Sequence, residues 1–187
     1  MQEASQVLVL PTHSIYISED DEYRFESSDN SYNYRAVYLN GGDITSKVGV
    51  QVFEGKKLIS DCLIGAAGGA TGVYANSTLI SNGGLVICCS DSVFKLSIPD
   101  LKLEWVTKAD MATCFEIFYL DEDYIVHGEL QITRLDKNGN IVWQQSGRDI
   151  FTTLDGIDTF QVTDELIIAK DFQNYTYKFD YNGNIVE

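Results

Sequence analysis

The chain predicts an all-β fold built from repeated antiparallel units, and three features carry that prediction. The segment Asp123–Gln144, DYIVHGELQITRLDKNGNIVWQ, sets apolar-alternating runs on either side of Asn138-Gly139. Asn-Gly between alternating hydrophobics predicts a hairpin, because a type I′ turn needs φ > 0 at both central residues. Leu166–Glu187, LIIAKDFQNYTYKFDYNGNIVE, repeats the pattern with Asn182-Gly183 in the same place. Third, 11 Tyr, 9 Phe and many β-branched residues crowd the apolar runs, and only 2 Pro interrupt them. No window sustains a 3.6-residue period with helix caps.

Each Asn-Gly unit resolves into four short strands. The first is Thr113–Leu120 or Thr159–Thr163, followed by the acidic turn residues Asp121–Asp123 or Asp164-Glu165. The second is Tyr124–Gly128 or Leu166–Lys170, the third Ile132–Asp136 or Tyr175–Asp180, and the fourth Asn140–Gln144 or Asn184–Glu187. Leu85–Cys89, Val93–Ile98 and Leu101–Val106 form a third copy that turns at Pro99-Asp100. Trp105 and Trp143 fall 38 residues apart at equivalent places, and Glu187 lies 44 beyond Trp143. That equivalence predicts both tryptophans buried between neighbouring sheets. Val48–Leu63 and Val7–Phe25 read as two weaker copies, turning at Glu54-Gly55 and around Glu19–Glu22. Four or five four-stranded units at about 40-residue spacing, in one domain over residues 1–187, are the pattern of a β-propeller. A lone blade cannot bury both faces; radial packing supplies the missing partners.

ITRLDKNGNIVW and YKFDYNGNIVE resemble the repeat of PQQ-like and WD-like propeller blades, in which a strand ends in Leu-Asp, turns at a Gly and continues to Trp. The resemblance covers about 100 C-terminal residues well and residues 1–65 poorly. It implies blades rather than an activity. The quinone-dependent members are far longer and exported, and need a complete ring around the cofactor, so the resemblance implies no cofactor here.

Net charge is −15, from 13 basic and 28 acidic residues. Such a surface repels phosphate backbones, which argues against nucleic acid. It favours either a basic partner or plain solubility. The N-terminal MQEASQVLVLPTH has no basic start and only four consecutive apolar residues, and no stretch approaches a membrane span. Cys62, Cys88, Cys89 and Cys114 lie in strand-like runs without framework spacing, as buried thiols of a reducing cytoplasm do.

Few residues invite chemistry. Gly65–Gly72, GAAGGATG, lacks the Lys-Ser/Thr of a phosphate loop and reads as a tight connection between blades. Asp136–Asn140 and Asp180–Asn184 resemble the start of a calcium loop, but no later bidentate acid follows, and hairpin turns account for them. The Cys and His residues lack zinc spacings. His127 and Glu129 sit two apart, on one side of an extended segment, as half of an acid–base or metal site or as a hydrogen-bonded structural pair. The run Glu19, Asp20, Asp21, Glu22 reads as a solvated loop tip or as a docking point for basic residues. Together these readings predict a non-catalytic cytoplasmic protein that holds another protein, for example an acidic inhibitor or immunity protein facing a basic partner. The alternative is a carbohydrate-binding protein or sugar-acting hydrolase whose central carboxylates come from residues such as Glu116, Glu129, Asp149 and Asp158.

Overall fold

The structure, a computed structural model, describes residues 5–154, 156 and 159–186; Asp158 and Glu187 lie outside the described residues. It is all-β, with four sheets following one another along the chain. Sheet A holds β1 (Gln6–Val9), β2 (Ser14–Glu19), β3 (Ala36–Asn40), β4 (Ser46–Glu54) and β5 (Lys57–Ala66), in the order β1-β2-β4-β5-β3. Sheet B holds β6 (Thr78–Ser81), β7 (Gly84–Cys89), β8 (Ser92–Ser97) and β9 (Leu103–Lys108). Sheet C holds β10 (Cys114–Leu120), β11 (Asp123–Gly128), β12 (Gln131–Leu135) and β13 (Ile141–Ser146). Sheet D holds β14 (Phe160–Val162), β15 (Ile167–Lys170) and β16 (Thr176–Phe179), with Ile185 bridging back to Phe179.

The two weak upstream copies are one sheet, which corrects the higher count of five units. Val7–Phe25 supplies the first and second strands of sheet A, and Val48–Leu63 the third and fourth. The excursion from Asp20 to Thr45 between them returns β3 as an added strand parallel to β5. Sheet B begins with β6, which the sequence pattern had not marked. Its hairpin turns at Asn82-Gly83, with φ of 49° and 73°, the type I′ geometry expected of such a pair.

That geometry is absent at Asn138-Gly139, where only Gly139 has positive φ. Asp136 reorganises this turn. Its Oδ1 accepts the N–H groups of Asn138 and Asn140, each at 2.8 Å, and its Oδ2 accepts the Asn140 side-chain amide at 2.9 Å. Asp180 does the same for Asn182 and Asn184. These hydrogen bonds, led by those from the asparagine side chains, hold both carboxyls below their ordinary range. The resemblance to a calcium loop is thus explained by carboxylates that serve the backbone.

The core is three apolar layers between successive sheets. Ile15, Val50 and Ile64 of sheet A meet Leu85, Ile87 and Cys89 of sheet B. Val86 and Cys88, on the opposite face of β7, meet Ile117, Tyr124 and Val126 of sheet C. Ile125 and Ile132 meet Phe160, Ile167 and Phe179 of sheet D. Sheets B and C are therefore buried on both faces, which is why β7 reads GLVICC without alternation. Each such aliphatic side chain contributes roughly 1.5–3 kcal/mol on full burial.

The last strand of each sheet also clasps a turn of the next. Ser60 donates to the Pro99 carbonyl, Trp105 Nε1 to the Lys137 carbonyl at 3.2 Å, and Trp143 Nε1 to the Tyr181 carbonyl at 2.9 Å. The tryptophans are equivalent, as their spacing predicts, but half-buried instead of enclosed, because each lies flat on a turn and not inside a layer.

All four cysteines are free and buried. Burial pushes the Cys62 and Cys89 thiols up to about 12 and raises those of Cys88 and Cys114 as well. Native protein is expected to leave all four unreactive toward Ellman's reagent, while urea-unfolded protein gives a titre of four. One fast-reacting thiol under native conditions would contradict this packing.

Candidate functional site

Glu19, Asp20, Asp21 and Glu22 leave β2 together, but three of the four are tied down. Glu19 Oε1 accepts the Val73 N–H at 2.9 Å. Asp20 is buried and accepts the Tyr34 hydroxyl at 2.8 Å, and Asp21 accepts the Lys47 N–H at 3.0 Å. Only Glu22 fits the expected solvated tip; Glu19 holds the connection to sheet B, Asp20 closes the long connection on Tyr34, and Asp21 ties it to β4.

His127 is the penultimate residue of β11, with its side chain 4% exposed. Its Nδ1 lies 2.9 Å from Glu116 Oε2 and its Nε2 lies 2.8 Å from the Phe151 carbonyl. The ring stacks on Phe160 at 4.5 Å and meets the edge of Phe115. A carbonyl only accepts, so Nε2 carries a hydrogen toward Phe151. Asn76 donates to the other oxygen of Glu116 at 3.0 Å. Burial pushes the Glu116 carboxyl up, but the hydrogen bonds from His127 and Asn76 outweigh it and hold the group below its usual value. Every nitrogen and oxygen of the pair is engaged. It pins the connection between sheets C and D beside a cavity of about 230 Å³ lined by Tyr74, Thr152 and Gly156. Glu129 lies just past β11 and uses its backbone instead: its N–H donates to Thr113 and its carbonyl accepts from Phe151, both at 2.7 Å. The partner of His127 is thus Glu116 on the neighbouring strand.

Exposed carboxylates gather where the hairpin turns of sheets C and D meet. Asp121 and Glu122 form the β10–β11 turn, and Asp164 and Glu165 the β14–β15 turn; all four are exposed. Tyr181 lies between the two turns. Its hydroxyl donates to the Thr163 carbonyl at 2.6 Å, and its own carbonyl accepts from Trp143 and from Arg134 Nη1 at 2.6 Å. Burial raises the Tyr181 phenol, and the charges of Asp164, Asp121 and Glu165 raise it further. Carboxylates of two sheets therefore act on one phenol. Beside this rim a cleft of about 470 Å³ opens between sheets B and C, lined by Lys95, Glu104, Trp105, Glu122 and Lys137. Lys137 lies 3.6 Å from Glu122, both exposed, a pair that neutralises little of the field. Among the described residues no group of three or more His, Cys, Asp or Glu is placed to hold a metal ion. The arrangement suits attraction of cationic groups.

No family model matches the chain, and no curated protein does. Solved structures do. The chain is similar to the computationally designed Ika8 protein, with a TM-score of 0.53 and 10% identity over 97% of this chain and 59% of that one. It is similar to the computationally designed Ika4 protein, with a TM-score of 0.50 and 9% identity over 64% of this chain and 76% of that one. The AfRom2 CNH domain aligns over 99% of this chain and 70% of its own at a TM-score of 0.48 and 10% identity. At such identities the likeness concerns the fold alone. No helix among the described residues is long and apolar enough to cross a membrane.

The sequence reading missed the Glu116–His127 pair, yet a signal existed. Counting outward from a two-residue turn at Asp121-Glu122 sets Glu116 directly opposite His127, as the register shows.

Proposed function

We propose that the four sheets act as blades of a propeller-type, non-catalytic binding protein, and that its acidic rim holds a basic protein partner in the cytoplasm. The observation that carries this reading is the β10–β11 turn. Its counterpart in sheet B uses Asn82-Gly83, the pair that a type I′ turn favours. Sheet C places Asp121 and Glu122 there instead, at φ of 49° and 70°. Left-handed backbone costs a residue with a Cβ roughly 1–2 kcal/mol, less for Asp than for Glu. Two acids kept where Asn-Gly fits better support a role for their charge, as does the net charge of −15. Four free, buried thiols suit a reducing compartment.

The double substitution Asp121→Asn, Glu122→Gly tests the reading, because stability and binding should move in opposite directions. The urea midpoint is expected to rise, by about 1 kcal/mol in stability. Association with the partner captured from the native cell is expected to slow, and its rate to depend less steeply on salt. A variant equally fast and equally salt-sensitive would remove the rim from consideration.

A further inference from the structure

The stack of sheets ends in two faces that differ in kind. The cores join A to B, B to C and C to D; among the described residues no core layer joins A to D. On sheet A the side away from sheet B presents Val7, Val9, Tyr16 and Phe53 on β1, β2 and β4, and Val37 and Leu39 on β3. Val9 is 78% exposed, and Val7 and Leu39 each 45%. Aromatic rings cover the middle of this side: Tyr34 lies over Gly49, in edge contact with Tyr23 and Tyr32. Asp61 points the same way from β5. Its side chain is fully buried: Oδ1 accepts the Arg35 N–H at 2.7 Å, and Oδ2 pairs with Arg35 Nε at 3.1 Å. The outer end of the molecule here is apolar and aromatic.

Sheet D ends the stack differently. The side of β14–β16 away from sheet C presents Gln161, Ile168, Lys170, Thr176 and Lys178, with no acid among these positions. Arg148 lies next to them, 4.5 Å over the Tyr175 ring, along a cleft of about 490 Å³ that Lys178, Ile185 and Val186 also line. In a chain with 28 acids, an end face that presents two lysines and no acid is a local inversion of charge.

We infer that two copies of this chain associate head to tail, the lysine-bearing outer face of sheet D of each docking on the aromatic outer face of sheet A of the other. Tyrosine faces attract ammonium groups, and the lysines of sheet D arrive on that aromatic cover. The apolar side chains of Val7, Val9, Val37 and Leu39 lose water against Ile168. A second copy suits these faces because one molecule carries both halves of the contact. Made twice about a two-fold axis, the contact covers all four end faces and closes at two chains; made once, it would propagate.

Sedimentation equilibrium of the full chain tests this, with charge-swap variants. The native protein is expected at the mass of two chains. Lys170→Glu with Lys178→Glu on one end, or Val9→Lys with Tyr16→Lys on the other, is expected to raise the dissociation constant at least ~10-fold. An equimolar mixture of the two variants should regain association, since the reversed charges then face each other across one contact and the other contact is native. Far-UV spectra check folding, and Gln161→Glu with Thr176→Glu gives the same readout should the lysine pair disturb sheet D. A native chain that stays monomeric, or grows past two copies, overturns the inference. So does a D-face variant that dimerises like the native chain, or a mixture that fails to reassociate.

Discussion

Replacing Asp110 with alanine is expected to destabilise the protein by about 4 kcal/mol, a large fraction of the 5–15 kcal/mol of a typical domain. The residue is 1% exposed, in the connection from sheet B to sheet C, and its carboxylate is an acceptor for two separate segments. Oδ1 accepts the N–H groups of Ala112 and Thr113 at 2.6 and 3.0 Å, and Oδ2 those of Leu130 and Gln131 at 2.9 and 2.7 Å. Burial pushes this carboxyl up while the four amides pull it down, and burial prevails. Such a group is retained because its absence is worse: a buried donor left without a partner costs roughly 1–3 kcal/mol. Water entering the space recovers part of that sum. Asp110→Asn should approach the same loss, since its NH₂ turns a donor toward two of the four donors. Urea denaturation monitored by tryptophan fluorescence measures both; a loss under ~1 kcal/mol for Asp110→Ala would mean the two segments hold their geometry unaided.

Asp110 illustrates which parts of the molecule the sequence conceals. Sheets C and D were legible because their strands are joined by tight turns, so period-two alternation and punctuation fall within one window. Sheet B was legible from β7 onward. β6 is only Thr78–Ser81, too short to alternate, although Asn82-Gly83 after it was a turn signal. Sheet A was misdivided because its second and third strands are separated by the long connection, and because β3 pairs in parallel, which leaves no local turn to read. Site residues were harder still. Asp and Glu at 121 and 122 do not announce a left-handed turn, and the four amides that meet Asp110 come from segments about 20 residues apart. Acidic runs look alike in sequence whether solvated, as at Glu22, or buried against a tyrosine, as at Asp20.

The repeat itself makes the second large effect predictable. Gly139→Ala is expected to cost about 3 kcal/mol, from two sources that a double-mutant cycle can separate. At φ +80° any Cβ is strained, a contribution of roughly 1 kcal/mol. A Cβ there would also stand 2.5 Å from Trp105 Cδ2, far inside van der Waals contact, and the indole cannot retreat without breaking its bond to the Lys137 carbonyl. Thr107 Oγ1, which donates to the Gly139 carbonyl at 2.6 Å, restrains the turn from its other side. In a Trp105→Ala background the clash is gone, so Gly139→Ala should then cost only the backbone part, leaving a coupling of about 2 kcal/mol. The same cycle at Gly183 and Trp143 should give a similar coupling, because there too an added Cβ meets the indole, at 2.7 Å, and Gln145 holds the Gly183 carbonyl at 2.9 Å. Equal couplings 38–44 residues apart would establish one latch used twice, the last strand of each sheet gripping the glycine turn of the next. Additive losses at either pair would show instead that the tryptophan rests on its turn without depending on it.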